Sequence, residues 1–488
     1  MKMLLVTFAT LSMFACAGGS APAPAEQPKP TEIPITSKSP KAVDQFKKGR
    51  DLTENLRMPE ATEALDEALK LDPDFAQALA YRGVATPGAE GLKEMERASV
   101  LAASLPETER LLIDATLAGR RGEFARSTEL WKQLTDAVAS DWRSWTGLGA
   151  QLYSNEKYQE AAAAFKKAAE LNPKAGSTFN NLGYAYLAQG EAGPAIEAFQ
   201  KYVSINPDEP NPQDSLAEAL MAGGQFAEAE AAFRKAVALS PSFSVAWEGV
   251  AYTKAFRGDW AGAREALNQA RDRAPRASDR IDVQRLGAWV TLAEGNMTEG
   301  MKQLDALEQS PDASPVGTAF VATHRATALV DASRYANAET EIAKALQTAD
   351  AGTLPPGASR NLRRIALMLR AAAEGRAGKA AAVEKTVAAL QQDATARPDE
   401  AQLQSTVHFA QGMLAVAQKD LKAAKAHFDL CSSRDTYCHW QAFVVAQKGG
   451  DRAGADAARA RIVRMYGRDP VDLYVRSVLN RMSPKSTN

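Results

Sequence analysis

Pro173, Pro207, Pro241 and Pro275 stand 34 residues apart, and a period of that length leaves few folds open. A unit of this size cannot bury a core alone, so successive units must stack and share one. Units starting at 142, 176, 210 and 244 carry small residues at their eighth position (Gly149, Gly183, Ala217, Ala251) and at their twentieth (Ala161, Ala195, Ala229, Ala263). Bulky residues fill the twenty-fourth: Phe165, Phe199, Phe233 and Leu267. Apolar positions recur at three- and four-residue spacing, which predicts two helices per unit, each with one buried stripe. Gly190, Gly224 and Gly258 fall where the first helix must end in a left-handed turn. Each proline lacks an N–H and stops the second helix before the next unit.

This pattern resembles the tetratricopeptide repeat, a helix-turn-helix unit. The resemblance implies an all-α solenoid of about twelve units, wound as a right-handed superhelix. The four regular units occupy 142–277, with less regular ones over 42–141 and 278–469. The later units read as starting near 281, 319, 364, 405 and 437. Residues 470–488 read as a capping helix and tail, with Pro470 to Met482 covering the last hydrophobic face.

Ahead of the array, Met1-Lys2 is followed by an apolar run from Met3 to Ala17, too short for the ~20 residues of a membrane span but suited to an export signal. Two processing routes are open. Ala15-Cys16-Ala17 fits a small-x-small cleavage site, and Ala15-Cys16 resembles the lipobox of bacterial lipoproteins, which implies lipidation of Cys16. Residues 18–41 are rich in proline and read as a tether. The expected location is therefore the periplasmic face of the outer membrane, the alternative being a soluble periplasmic or secreted protein.

Charge balance narrows the function. With 58 Lys+Arg against 59 Asp+Glu there is no electrostatic footprint for nucleic acid. Phosphate-binding, zinc-protease, nucleophile-elbow and dinucleotide motifs are absent from the sequence, so neither an enzyme nor a cofactor is expected. Cys431 and Cys438, with His408, His427 and His439 nearby, form the one chemical cluster. In an oxidising compartment the pair reads first as a disulfide, the alternatives being unpaired packing cysteines and a His/Cys metal site. No metal is assigned.

In tetratricopeptide repeats the first helices line a concave groove. Residue by residue, the resemblance places Arg143, Tyr153, Asn180, Tyr184, Asp214, Glu218, Met221, Glu248, Tyr252 and Phe256 on it. Aromatic and Met side chains beside a few charges suit an interface core. The implied function is a non-enzymatic scaffold of the bacterial envelope that binds a protein or extended peptide in this groove and assists assembly of an envelope complex, with membrane contact only through the lipid. The alternative is a small-ligand or glycan-binding module.

Overall fold

The computed structural model describes residues 31–482 apart from 56, 87, 311–314, 399, 465 and 466. The export signal, Cys16 and the tether up to residue 30 lie outside the described residues. Among those described there are 25 α-helices and no strand. The odd-numbered helices open the hairpins: α1 (Pro40–Glu54), α3 (Ala76–Ala85), α5 (Glu107–Arg121), α7 (Trp142–Ser154), α9 (Gly176–Ala188) and α11 (Pro210–Ala222). They continue as α13 (Ser244–Phe256), α15 (Ala277–Glu294), α17 (Pro315–Asp331), α19 (Pro356–Arg376), α21 (Ala401–Ala417) and α23 (Thr436–Lys448). Each is followed by an even-numbered partner, from α2 (Met58–Leu71) to α24 (Arg452–Arg464), and a last helix, α25 (Pro470–Met482), stands alone. Consecutive helices pack on each other along the whole array, the signature of a solenoid.

Close approach within a hairpin depends on the small positions. A Cβ on Gly149 would lie 2.7 Å from the Phe165 ring, so only glycine lets α7 settle on that ring. The same phenylalanine position also serves the following unit, since Phe233 packs directly under Gly249 of α13. Phe165, Phe199 and Phe233 are fully buried. The hairpin turns are left-handed, with φ of 76°, 75° and 79° at Gly190, Gly224 and Gly258. In the unit starting at 142, Glu156 takes this conformation at φ 58°.

The later first helices are longer. α15, α17, α19 and α21 have 18, 17, 21 and 17 residues, against 13 for α7. They begin at 277, 315, 356 and 401, ahead of the starts read from the sequence. In α19 a proline in the first turn accounts for part of this, because its fixed φ suits a helix start and its missing N–H costs nothing there.

α25 corrects one expectation. Instead of covering the last hydrophobic face it turns back into the solenoid, packing most extensively on α15 and also on α13 and α23. The physical reason is where apolar surface is available. Leu473 joins a core with Val283, Leu286 and Val290, Tyr474 meets Trp289 edge-on at 5.5 Å, and Val475 and Leu479 are also buried. The superhelix touches itself elsewhere too: Arg143 of α7 pairs with Glu54 of α1 at 2.7 Å, and the Arg434 guanidinium lies over the Tyr153 ring.

Candidate functional site

Two segments of the chain lie against the first helices. The first runs from Thr31 to Ser39, extended, across α7, α5 and α3. Its Ile33 N–H donates to Asp141 Oδ2 at 2.9 Å, and its Pro34 carbonyl accepts from Gln77 Nε2 at 2.6 Å. Thr36 offers both its N–H, at 3.2 Å, and its hydroxyl to Glu109. Ser37 Oγ and Lys38 N–H both donate to Asp72 Oδ2, at 2.6 and 2.9 Å. Gln77 also donates to Glu109 at 2.6 Å, which fixes the two grips relative to each other. These partners sit near the starts of successive first helices, so repetition of the unit creates a ladder of acceptors for a strand-like segment. Ile33 is buried beside Leu111 and Leu112, giving the segment one apolar anchor.

The second segment enters the groove of the regular units. Arg468 donates to Asp214 Oδ1 and Oδ2 at 3.1 and 2.5 Å, pairs with Glu218, donates to the Val245 carbonyl at 2.9 Å and lies over the Phe233 ring. Tyr252 donates its hydroxyl to the Arg468 carbonyl at 2.7 Å. Burial and the neighbouring Glu218 push the Asp214 carboxyl up, to about 6, while Arg468 pulls it back. Two carboxylates wrapped around one guanidinium hold a chain segment; they do not make an acid-base pair, because both are committed to the same cation.

The remaining residues expected in the groove are also engaged within the chain. Asn180 accepts from Ser215 Oγ at 3.0 Å, and the Tyr184 hydroxyl is 3.2 Å from the same oxygen. Met221 is in the core, the Arg476 guanidinium lies over Phe256, and Tyr153 packs edge-on to Tyr158. Burial pushes the Glu248 carboxyl up to about 7, offset by Arg468. The structure thus brings Asp214, Glu218 and Tyr252 together around Arg468, while Arg143 belongs to the other end, pairing with Glu54 and also lying within 3.7 Å of Asp141.

Cys431 and Cys438 are joined, with an S–S distance of 2.07 Å. Each sulfur is bonded to the other and neither is available as a thiolate. His408 and His427 stack at 6.2 Å. Among the described residues no group of three His, Cys, Asp or Glu side chains could hold a metal ion.

Sequence reasoning missed Arg468 and the strap at 31–39. Arg468 lies in a connection between helices, outside every repeat position, so periodicity could not reach it. The strap carried a weak signal: Ile33 and Ile35 are apolar residues in a polar tether.

The tetratricopeptide repeat family matches residues 115–176, 151–210 and 215–278. No curated protein matches the chain. Among solved structures, MamA from Desulfovibrio magneticus RS-1, from its residue 41 onward, is 19% identical, covering 35% of this chain and 96% of its own, with a TM-score of 0.32. PilW, a widely conserved type IV pilus biogenesis factor, is 18% identical over 42% of this chain and 96% of its own, with a TM-score of 0.36. A repeat protein from Parabacteroides merdae ATCC 43184 is 14% identical over 56% and 94%, with a TM-score of 0.35. The matched stretches fall on the same helical hairpins whose spacing and packing are described above, so this part of the chain carries tetratricopeptide repeats.

Proposed function

We propose that this protein is a non-enzymatic interaction scaffold of the bacterial envelope, exported and held by a lipid on Cys16, which binds a protein partner through an extended segment. The observation that carries the reading is the grip on residues 31–39. Carboxylates and an amide at repeat spacing take the main-chain N–H and C=O groups of an extended chain, which is what peptide recognition requires of a repeat array.

Of the two occupied stretches, the one at α3, α5 and α7 suits a partner better. The C-terminal segment buries Leu473, Val475 and Leu479 completely or nearly so, and displacing it would expose core. The strap has one buried apolar anchor, Ile33, with Ile35 half-buried against the core around Phe46 and Phe75, and otherwise holds on by polar contacts that a partner's backbone can replace. A partner exchanging with the strap would also meet the chain where the tether ends and the array begins.

Affinity purification from crosslinked envelopes tests this, comparing the full chain with a Gln77→Ala, Glu109→Ala variant shown to be folded. A protein captured by the wild type and lost from the variant supports the scaffold and its location. A catch that is unchanged removes the strap ladder as the binding place, and no catch from either removes the scaffold reading.

A further inference from the structure

Between the inner faces of α17, α19, α21 and α23 and the returning segment that leads into α25 lies a cavity of about 680 Å³. It belongs neither to the strap nor to the Asp214–Arg468 grip, although Arg468 reaches its edge. Its volume falls within the ~300–1,000 Å³ of ordinary small-molecule sites.

Two buried hydrogen-bond donors in the lining, His324 Nε2 and Arg285 Nε, have no acceptor among the described residues. Trp289 Nε1 donates to His324 Nδ1 at 3.1 Å, which fixes the neutral tautomer that carries its proton on Nε2. Burial, reinforced by Arg285, pushes this imidazole down to about 3, so the neutral form persists at any physiological pH. His324 Nε2 is out of contact with solvent and has no partner among the described residues. Arg285 pairs through Nη2 with Asp282 at 2.9 Å, but its Nε is likewise buried without an acceptor. Arg364 donates to Thr406 and Asn361, at 3.1 and 2.8 Å, and makes no direct ion pair among the described residues, although Asp435, Glu400 and Glu156 act on its charge from farther off. Buried donors of this kind are costly unless something accepts from them.

The lining also carries Asp469 and Asp472, with Arg285 acting on the first and Arg476 and Arg434 on the second. Asp469 and Asp472 stand one helical turn apart at the start of α25, and burial raises both, Asp472 to about 7 with Asp469 as the second cause. Asp469 accepts from Val471 N–H at 2.7 Å and Asp472 from the Thr436 hydroxyl, so both are oriented. Asp435, which caps α23, is a third lining carboxylate.

We propose that this cavity binds a small zwitterion, an amino acid or short peptide, with its carboxylate on His324, Arg364 and Arg285 and its ammonium group toward Asp469 and Asp472. A bare anion would satisfy the donors but add to the negative charge of Asp469 and Asp472, and a bare cation would meet those carboxylates but leave His324 Nε2 and Arg285 Nε without an acceptor. A dipolar ligand serves both sets of groups. This site is independent of the scaffold reading, since it uses no residue of the strap.

The test is calorimetric titration of the full-length chain with trialanine, its N-acetylated form and its C-terminal amide, with inorganic phosphate as a bare-anion control. Trialanine is expected to bind at one site, and each blocked form at least ~10-fold more weakly, because each loses one charged hydrogen-bonding group. In nitrogen-15 imidazole spectra of the wild type, the His324 Nε2 resonance should move with trialanine. Arg364→Met should weaken binding at least ~10-fold with an unchanged unfolding temperature. Equal affinity for free and blocked peptides would overturn the proposal. So would phosphate binding more tightly than trialanine, or no heat and no His324 shift with any peptide at millimolar concentration. The wild-type spectra decide the matter even if the Arg364 variant does not fold.

Discussion

Arg468 and Asp214 are 254 residues apart in the chain and joined at 2.5 Å inside the solenoid, where the end of the protein closes the groove of its most regular repeats. Both side chains are almost wholly withdrawn from solvent, with 15% and 4% exposure. Removing one partner of such a pair leaves the other charge buried and uncompensated, a loss of ~3–5 kcal/mol. Arg468→Met should therefore lower the unfolding temperature and sharply increase amide exchange in 470–482. Unchanged exchange there would mean that the apolar face of α25 holds the segment without the ion pair.

Glu248 predicts a pH dependence with a definite sign. Its carboxyl is pushed up to about 7 in the folded chain, against an ordinary 4.5. Below pH 4.5 it is protonated in both states and contributes nothing. As pH rises toward 7 the unfolded chain ionises first, so this group lowers stability, by up to about 3 kcal/mol once pH exceeds its folded value. Glu248→Gln should match the wild type near pH 4 and be more stable at pH 8, as read from paired thermal melts. Parallel curves would place Glu248 in a more solvated setting.

Gly249 sets helix propensity against packing. Alanine is the better helix former by about 1 kcal/mol, but its methyl would collide with the Phe233 ring, which is itself fully buried. Overpacking of this kind costs ~1–3 kcal/mol, so Gly249→Ala should destabilise. Combining it with Phe233→Leu, which makes room, should cost less than the sum of the two single changes. Strict additivity in denaturant melts would argue against the contact.

The Cys431–Cys438 bond closes a short loop, with the cysteines seven positions apart. The loop-entropy account assigns such a closure about 2.5 kcal/mol. Replacing both cysteines by serine should lower the melting temperature, and the oxidised wild type should show neither thiol to an alkylating reagent after denaturation. Alkylation of both would contradict the bond.

Much of the fold was legible because a solenoid is built from neighbours. The spacing of Pro173 to Pro275, the small residues at 149 and 183 and the phenylalanines at 165 and 199 each act within one unit or the next. The contacts they imply are local in sequence. The groove residues were legible only as positions. Asp214, Glu218 and Tyr252 could be assigned to the inner face of their helices, but not to an occupant.

That occupant depended on how small rotations between units accumulate, which no single repeat encodes. Winding brings α13, α15 and α23 around one space, and there α25 buries Leu473 and Val475. The sequence by itself therefore determined the helices, their pairing and their order. Tertiary structure decided which concave surfaces the chain fills with its own segments and which it leaves as a cavity, because burial of the two ends is settled by partners brought near only after the superhelix has formed.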